Sequence, residues 1–302
     1  MKTLIVGGTG LVGKNLIKVL LKYGHEPILL SRKKNSKLGI QSFIWNVDSS
    51  YIEDGAFDGV DYLIYLAGEN IAEKRWSDDR KKQIIDSRVK GLELINKYLI
   101  EHNIVLKGII SASAIGYYGA DRGEEILDEN SSEGNDFLSE TVIQWEKSVW
   151  QMKQVERKVA LRIGLVLSSE GGALEKFTTP LRLGIAPILG DGKQWISWIH
   201  IDDLCEMFVY FMQNGVAEGV INAVAPNPIR NSQMMREIAQ VYGKAYFFVK
   251  IPKFLIKLIF GEMGNMVLGS NFVVNNRMRG EMAFIYRFQT LNQAIIHLQQ
   301  NN

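Results

Sequence analysis

A single cysteine, Cys205, among 302 residues excludes an internal disulfide framework. It falls in an apolar helical stretch with no metal-ligand partner at a characteristic spacing, so it reads as a small core residue, and no metal is expected. An excess of charge of one sign is also missing. Thirty-five basic residues against 33 acidic ones leave a net charge of +2, too little for a global field that draws in nucleic acid or an anionic membrane. No basic stripe with interleaved aromatics marks a nucleic-acid module. No apolar run reaches the length of a membrane span, and no leader-like series precedes the first apolar segment. The expectation is a cytoplasmic protein whose partner is a small-molecule substrate bound at a local site, without nucleic acid or membrane. Repeats, coiled-coil heptads and low-complexity linkers are absent too. With 46% hydrophobic content the chain can bury one large core, or a core plus a smaller lobe.

What is present is alternation. Short apolar runs near 2–6, 26–30, 42–47, 60–66, 107–112 and 158–166 are separated by helix-period segments, the longest at about 77–102 and 137–153. Tyr62 to Ala67 and Gly108 to Ala112 are almost continuously hydrophobic, as befits strands covered on both faces. The pattern predicts an α/β fold: a doubly wound parallel sheet of Rossmann type. After residue 166 the alternation is lost. Glycine-rich loops and one short helix occupy 168–197, a helix resumes at 202–213 and a strand of the main sheet at 219–224. From Asn231 onward, Pro252 opens an apolar helix and a Met- and Asn-rich stretch runs from Met263 to Met282. We expect a nucleotide-binding domain from 1–167 plus about 198–230. A smaller C-terminal lobe, about 168–197 plus 231–302, closes over a substrate crevice.

The turn from the first strand into the first helix carries Gly7, Gly10 and Gly13, followed by Leu16, Ile17, Leu20 and Leu21 on the helix. Glycine allows a tight turn and close approach of backbone to a pyrophosphate, and the helix start offers free N–H groups at the positive end of its dipole. Gly7, Thr9, Gly10, Leu11, Val12 and Gly13 are therefore the expected diphosphate contacts, against the alternative of a tight turn without a ligand. The second strand ends in Ser31, Arg32, Lys33 and Lys34, about 20 residues after the glycine loop, with no carboxylate. An acidic residue there would favour NAD. Ser31 and Arg32 instead suit the extra phosphate of NADP through charge-assisted hydrogen bonds, unless they form only a solvated basic turn.

Further along stand Leu66 to Glu69, Ser87-Arg88, Ser111 to Gly119, Asp136 to Leu138, Trp145-Glu146, Arg162 to Gly164, Gly171 to Leu174, Ser197 to Asp203, Ala225 to Pro228 and Gly261-Glu262. Together with the glycine turn, these make the chain resemble an extended short-chain dehydrogenase/reductase. More closely, it is similar to the atypical epimerase family, the sugar-nucleotide epimerase-like branch with a small C-terminal domain. The resemblance covers nearly the whole chain. It implies that Leu66, Ala67 and Gly68 wall the adenine and ribose side of the cofactor, with Ser87 and Arg162 among its contacts. Ser113 takes the position of the family's serine, whose hydroxyl holds the reacting oxygen. Glu69 is a substrate or ribose contact, or else a helix-start or salt-bridge residue. The resemblance also admits a homodimer.

The family's Tyr and Lys, four apart on the following helix, are missing: counting back from Glu146, their positions hold Leu138 and Val142. Neither moves a proton. The Tyr246 to Lys250 match lies in a β-like segment that would separate the two by roughly 13 Å. Tyr117 is the preferred substitute, with Tyr118, Glu69 and His200 as further candidates. The His200 to Asp203 run also fits a structural role in which Asp202 or Asp203 caps a helix. Arg75 and Arg162 suit an anionic substrate or a surface or interdomain salt bridge. Trp45, Trp76, Trp145, Trp195 and Trp198 serve core packing or stacking on a sugar or base. The expected activity is an NADP-dependent oxidoreductase or epimerase step on a small hydroxylated or nucleotide-linked substrate. The rival is a non-catalytic NADP(H) sensor or regulatory protein.

Overall fold

Apolar residues at alternating and helical spacing fold as their periods dictate. The computed structural model describes residues 1–34, 37–215, 217–243 and 246–301. From the N-terminus run β1 (Lys2–Val6), α1 (Leu11–Lys22), β2 (Glu26–Ser31), β3 (Ser42–Asn46), β4 (Tyr51–Ile52), β5 (Tyr62–Tyr65), α2 (Asp78–Glu101), β6 (Leu106–Ala114), β7 (Ile126–Leu127), α3 (Phe137–Trp150) and β8 (Val155–Ile163). Ser77 starts α2 by accepting from the Arg80 N–H, and Asp136 starts α3 by accepting from the Ser139 N–H. Each supplies an acceptor to an otherwise orphaned donor of the first turn.

There follow β9 (Leu165–Leu167), α4 (Ala173–Thr178), β10 (Ile185–Leu189), β11 (Trp195–Ile196), β12 (Trp198–His200), α5 (Ile201–Gln213), β13 (Gly219–Ala223), β14 (Ile229–Arg230), α6 (Asn231–Tyr242), β15 (Phe247–Ile251), α7 (Lys253–Phe260), α8 (Met263–Leu268), β16 (Phe272–Val273), α9 (Asn276–Gly280) and α10 (Leu291–Gln300).

The main sheet has the order β13-β8-β6-β5-β1-β2-β3-β4. Every pairing in it is parallel except the two-residue edge strand β4 on β3. Helix α1 packs with α5 and α2 with α3, which gives the two helical layers of a doubly wound fold. Chain order reverses between β1 and β5. A crevice opens beyond the carboxyl ends of parallel strands at such a reversal, and the glycine turn after β1 and the segment after β5 both lie there.

The strand expected over 158–166 breaks in two at Gly164. A Cβ there would stand 2.5 Å from the Ser197 carbonyl oxygen, so Ser197 crosses close against the backbone. Beyond the break β9 leaves the main sheet and pairs with β12.

The C-terminal segments are tied in by small ladders. β10 pairs with β15, β11 with β14 and β16 with β7, and α10 packs on α6. One continuous hydrophobic core takes in β1 to β6 and β8 together with Leu174, Leu181, Ile188, Met234, Ile295 and Leu298, and a smaller cluster gathers Tyr118, Leu127, Val224 and Val273. Trp45, Trp145 and Trp198 are buried in it, Trp76 meets Phe137 edge-on at 4.8 Å, and Trp195 meets Phe272 edge-on at 4.6 Å. Cys205 is buried as a small core residue, and burial raises its thiol pKa. Among the described residues, no helix is long and apolar enough to cross a membrane.

Candidate functional site

Two clusters of side chains sit at the carboxyl ends of the central strands. The first is built on the glycine turn. Gly7 adopts φ +85°, and a Cβ on it would lie 2.7 Å from the Leu66 carbonyl carbon. The conformation and the close approach both require glycine. A Cβ on Gly13 would lie 2.4 Å from Gly8 Cα, so that glycine lets α1 close onto the turn. Gly10 differs: its φ is −76°, and its Cβ position lies 3.4 Å from the nearest heavy atom, the Gly7 carbonyl oxygen. No side chain caps α1, whose first residue follows Gly10. Thr9 and Gly10 are exposed, and Leu11 and Val12 half-buried, so the uncapped helix start faces outward at the crevice.

Opposite the turn run Leu66, Ala67, Gly68 and Glu69. The Leu66 N–H donates to the Val6 carbonyl at 2.8 Å, extending the β1–β5 pairing beyond the strand. Ser87 Oγ accepts from the Glu69 N–H at 2.9 Å and donates to the Ile84 carbonyl at 2.9 Å. Arg88 donates to the Ile84 carbonyl at 2.8 Å and the Glu69 carbonyl at 3.1 Å, and burial lowers its pKa to about 10. Ser87 and Arg88 thus shape the 66–69 segment from beneath. The Ser87 hydroxyl, expected among the cofactor contacts, is paired on both sides inside the protein. The small size of Gly68 has a local cause, since a Cβ there would come 3.0 Å from the Arg88 guanidinium carbon.

Glu69 takes the salt-bridge role. Its carboxylate lies 3.1 Å from Arg80 Nη1 and 4.0 Å from Arg32 Nη1. Arg80 is buried, with Nη2 also donating to the Asn70 carbonyl at 2.8 Å. The Arg32 side chain is 84% exposed, free to swing toward a ligand. Ser31 Oγ donates to the Lys33 carbonyl at 2.5 Å, so its hydroxyl folds back on the turn.

The second cluster lies on β6, α3 and β8. Ser113 and Arg162 are register partners on adjacent strands, and both reach Glu146 on α3. Ser113 Oγ donates to Glu146 Oε1 at 2.7 Å; Arg162 donates from Nε to Oε1 at 2.9 Å and from Nη2 to Oε2 at 3.0 Å. Its remaining Nη1 donates to the Tyr118 hydroxyl at 3.2 Å, and that hydroxyl lies 2.8 Å from Asn222 Oδ1. Burial opposes charge on Arg162, but the bonds to Glu146 hold its pKa above the usual arginine range. Arg162 is buried and takes the salt-bridge alternative, with Nε, Nη1 and Nη2 each donating inside the protein. Ser113, 3% exposed, gives its proton to Glu146, and holding a reacting oxygen would require it to leave that bond.

Tyr117 is the accessible phenol of this cluster. Its ring lies over the Arg162 guanidinium at 3.4 Å, and its hydroxyl donates to Glu133 at 3.1 Å. Partial burial first, then Glu133, raise its pKa above the usual value despite Arg162. Tyr118 is fully buried, with its pKa pushed up to about 12 by burial, and belongs to the core network. Leu138 and Val142 are buried against Gly116 as an apolar wall.

Three other candidates resolve away from the site. His200 is buried, its pKa pushed down to about 3 mainly by burial, so it does not titrate near neutrality. It is itself the cap of α5, accepting from the Asp202 N–H through Nδ1 at 3.0 Å; neither Asp202 nor Asp203 caps that helix. His200, Asp202 and His297 approach one another closely enough to suggest a metal. A neutral His200 with Nδ1 accepting must carry its proton on Nε2, 3.2 Å from His297 Nδ1, leaving no lone pair for an ion. Arg75 donates from Nε to the Ile259 carbonyl at 2.7 Å and from Nη2 to the Leu258 carbonyl, capping the end of α7. Tyr246 and Lys250 fall in and beside the extended strand β15.

Sequence reasoning missed Glu133, Arg80 and the central place of Glu146, which served as a family motif and to count positions but was given no role in the site. Their partners lie 16, 11 and 33 residues away, and no local spacing announces such pairs.

Comparison with known proteins gives a consistent picture. The model of the NAD dependent epimerase/dehydratase family matches residues 3–223, and a domain of unknown function matches 251–298. The chain is 32% identical to the epimerase family protein SDR39U1 homolog, chloroplastic, of Arabidopsis thaliana, over 99% of this chain and 87% of that one. It is 31% identical to an epimerase family protein of Staphylococcus aureus over 97% of both chains. Among solved structures, that of human epimerase family protein SDR39U1 (isoform 2) with NADPH superposes with a TM-score of 0.88 at 28% identity, covering 100% of each chain.

Proposed function

The chain belongs to the NAD dependent epimerase/dehydratase family, and on that premise we propose that it binds NADPH at the β1–β5 crevice and carries out an oxidoreductase or epimerase-like step on a small hydroxylated or nucleotide-linked substrate. The observation that carries this reading is the uncapped start of α1 beside the exposed Arg32. The residues present suit the group. Backbone N–H groups at Leu11, Val12 and Gly13 open a helix at its positive end, where a diphosphate is stabilised. Arg32 stands at the end of β2, where the adenosine 2′-phosphate is recognised in such folds, and its 4.0 Å approach to Glu69 is loose enough to be exchanged for a phosphate. The human relative solved with NADPH supports the same cofactor.

Bound there, the nicotinamide supplies or accepts a hydride. The chain contributes a proton donor and a dry wall. Tyr117, like any phenol, carries its proton at neutral pH, and it donates that proton to a reacting oxygen on exchanging its bond to Glu133. The phenolate left behind lies against the Arg162 guanidinium and is reprotonated from solvent, while the Glu133 carboxylate, released by the tyrosine, accepts from water. Leu138 and Val142 keep water from the adjoining surface. NADPH fluorescence titration followed by turnover with carbonyl and sugar-nucleotide substrates tests the reading; no binding of either nicotinamide nucleotide sinks it.

A second reading rests on a specific observation. Ser113 and Arg162 are bonded to Glu146 and the Tyr-Lys positions are apolar, which favours as the alternative a chain that senses NADPH without turnover. Tight NADPH binding with no consumption across the substrate panel favours that reading.

A further inference from the structure

The segment from Gly243 to Gly261 has four lysines and no acidic residue, an excess that the near-neutral net charge of the chain hides. Within it β15 and α7 are joined through Pro252, and both turn apolar side chains outward. On β15, Phe247 is 80% and Phe248 48% exposed; on α7, Phe254 is 68%, Leu258 69% and Ile259 58% exposed. Ile256 is the one buried residue of α7. Single exposed hydrophobes need no explanation, but large ones clustered on one short stretch mark an interaction surface. The helix is also held in place from behind. Arg75 caps its last carbonyls, and Lys81 pairs with Glu262 at 2.6 Å just beyond its end, so the outward side chains form a preformed surface and contribute little to the fold.

We propose that the face formed by β15 and α7 docks onto the surface of an anionic phospholipid membrane. Lys253 and Lys257, one turn apart on α7, adjoin the exposed Phe254 and Leu258 in sequence, and Lys250 stands on β15 two residues before Pro252. That is the arrangement in which apolar side chains enter the headgroup boundary while lysine stems carry their ammonium groups to lipid phosphates. Of these lysines, Lys253 has a carboxylate nearby, Asp191 at 3.6 Å, and both partners are more than half exposed. Charge separates this occupant from a second copy of the chain: an isologous contact would bring the same lysine-rich, acid-free segments face to face. The proposal adds surface attachment to the cofactor reading and does not depend on it.

The test is flotation of the full chain with vesicles of phosphatidylcholine containing phosphatidylglycerol, against phosphatidylcholine alone. The protein is expected to float with the anionic vesicles, more weakly as salt rises, and to remain behind with the neutral ones. Phe254→Asp with Leu258→Asp should abolish flotation while leaving the melting temperature unchanged, because both side chains are exposed. Lys253→Gln with Lys257→Gln should weaken the vesicle partition about fivefold per lysine. Absence of the chain from both vesicle fractions, or equal flotation with both, overturns the proposal. A dimer detected by light scattering and dissolved by the aspartate pair overturns it in favour of self-association.

Discussion

Glu146 on α3 and Arg162 on β8 meet in two near-parallel contacts of 2.9 and 3.0 Å, with side chains 6% and 4% exposed. The same carboxylate accepts from Ser113, and the guanidinium carries the ring of Tyr117 on its face. One buried pair thus fixes α3 against β6 and β8 and sets the floor on which Tyr117 stands.

Removing one partner of this pair should cost far more than trimming its periphery. Glu146→Ala leaves a buried guanidinium without its counter-charge and is expected to destabilise the fold by about 3–5 kcal/mol. Ser113→Ala removes one donor while Arg162 still satisfies the carboxylate, and should cost about 1 kcal/mol. Urea unfolding of the two variants checks the order.

The glycines of the first turn should separate by role. Gly13→Ala places a Cβ 2.4 Å from Gly8 Cα and is expected to lower stability by at least about 2 kcal/mol through overpacking. Gly10→Ala meets nothing closer than 3.4 Å, so its melting temperature should stay near that of the parent. If Gly10 admits a diphosphate, that variant loses NADPH affinity by more than about tenfold, the loss of one good hydrogen bond to charge. Titration and thermal melting of the same two samples decide it.

Arg32→Ala should weaken NADPH binding by about tenfold to a hundredfold, the range of a charge-assisted hydrogen bond, and leave NADH binding unchanged. Equal loss for both nucleotides would place Arg32 on the shared part of the cofactor. Glu69→Gln removes a negative charge 4.0 Å from Arg32 and is expected to tighten NADPH binding at low salt.

His200 gives a signed pH effect. Its folded pKa of about 3 lies below the ordinary histidine value of about 6.5, so its stabilisation is complete above about 6.5 and is lost as pH falls, by up to about 1.4 kcal/mol per pH unit. Asp203 acts in the opposite direction. Burial raises its pKa to about 6 although it accepts from the Arg287 and Phe288 N–H groups, so its contribution is present at low pH and is lost as pH rises through about 6. Over the range between about 4 and 6 the two oppose each other. His200→Asn keeps a capping side chain, and its stability deficit relative to the parent should shrink as pH is lowered from about 7 to about 5, by denaturant midpoint at each pH.

Much of the architecture was legible in residue order. The run Lys2 to Val6, the helix phase of Leu16, Ile17 and Leu20, and the covered strand at Tyr62 to Tyr65 state their elements through apolar spacing, which local sterics and burial read directly. The break at Gly164 was not legible, because its cause is the backbone of Ser197 more than thirty residues on. Ser87 and Arg162 were likewise placed by family position; both turned out to face the protein, since their partners are fixed by how α2 and α3 lie on the sheet.

By itself, then, the sequence determined a parallel sheet wound on both sides, a glycine turn at its first helix and a basic residue where the second strand ends. Those are consequences of periodicity and of what a backbone without a Cβ permits. Only the tertiary structure decided which polar side chains remain free. A buried carboxylate or guanidinium must find its counterpart wherever packing brings one, and packing gave Glu146 to Ser113 and Arg162, and Glu69 to Arg80, while leaving Arg32 exposed at the end of β2 and Tyr117 half-buried over the Arg162 guanidinium.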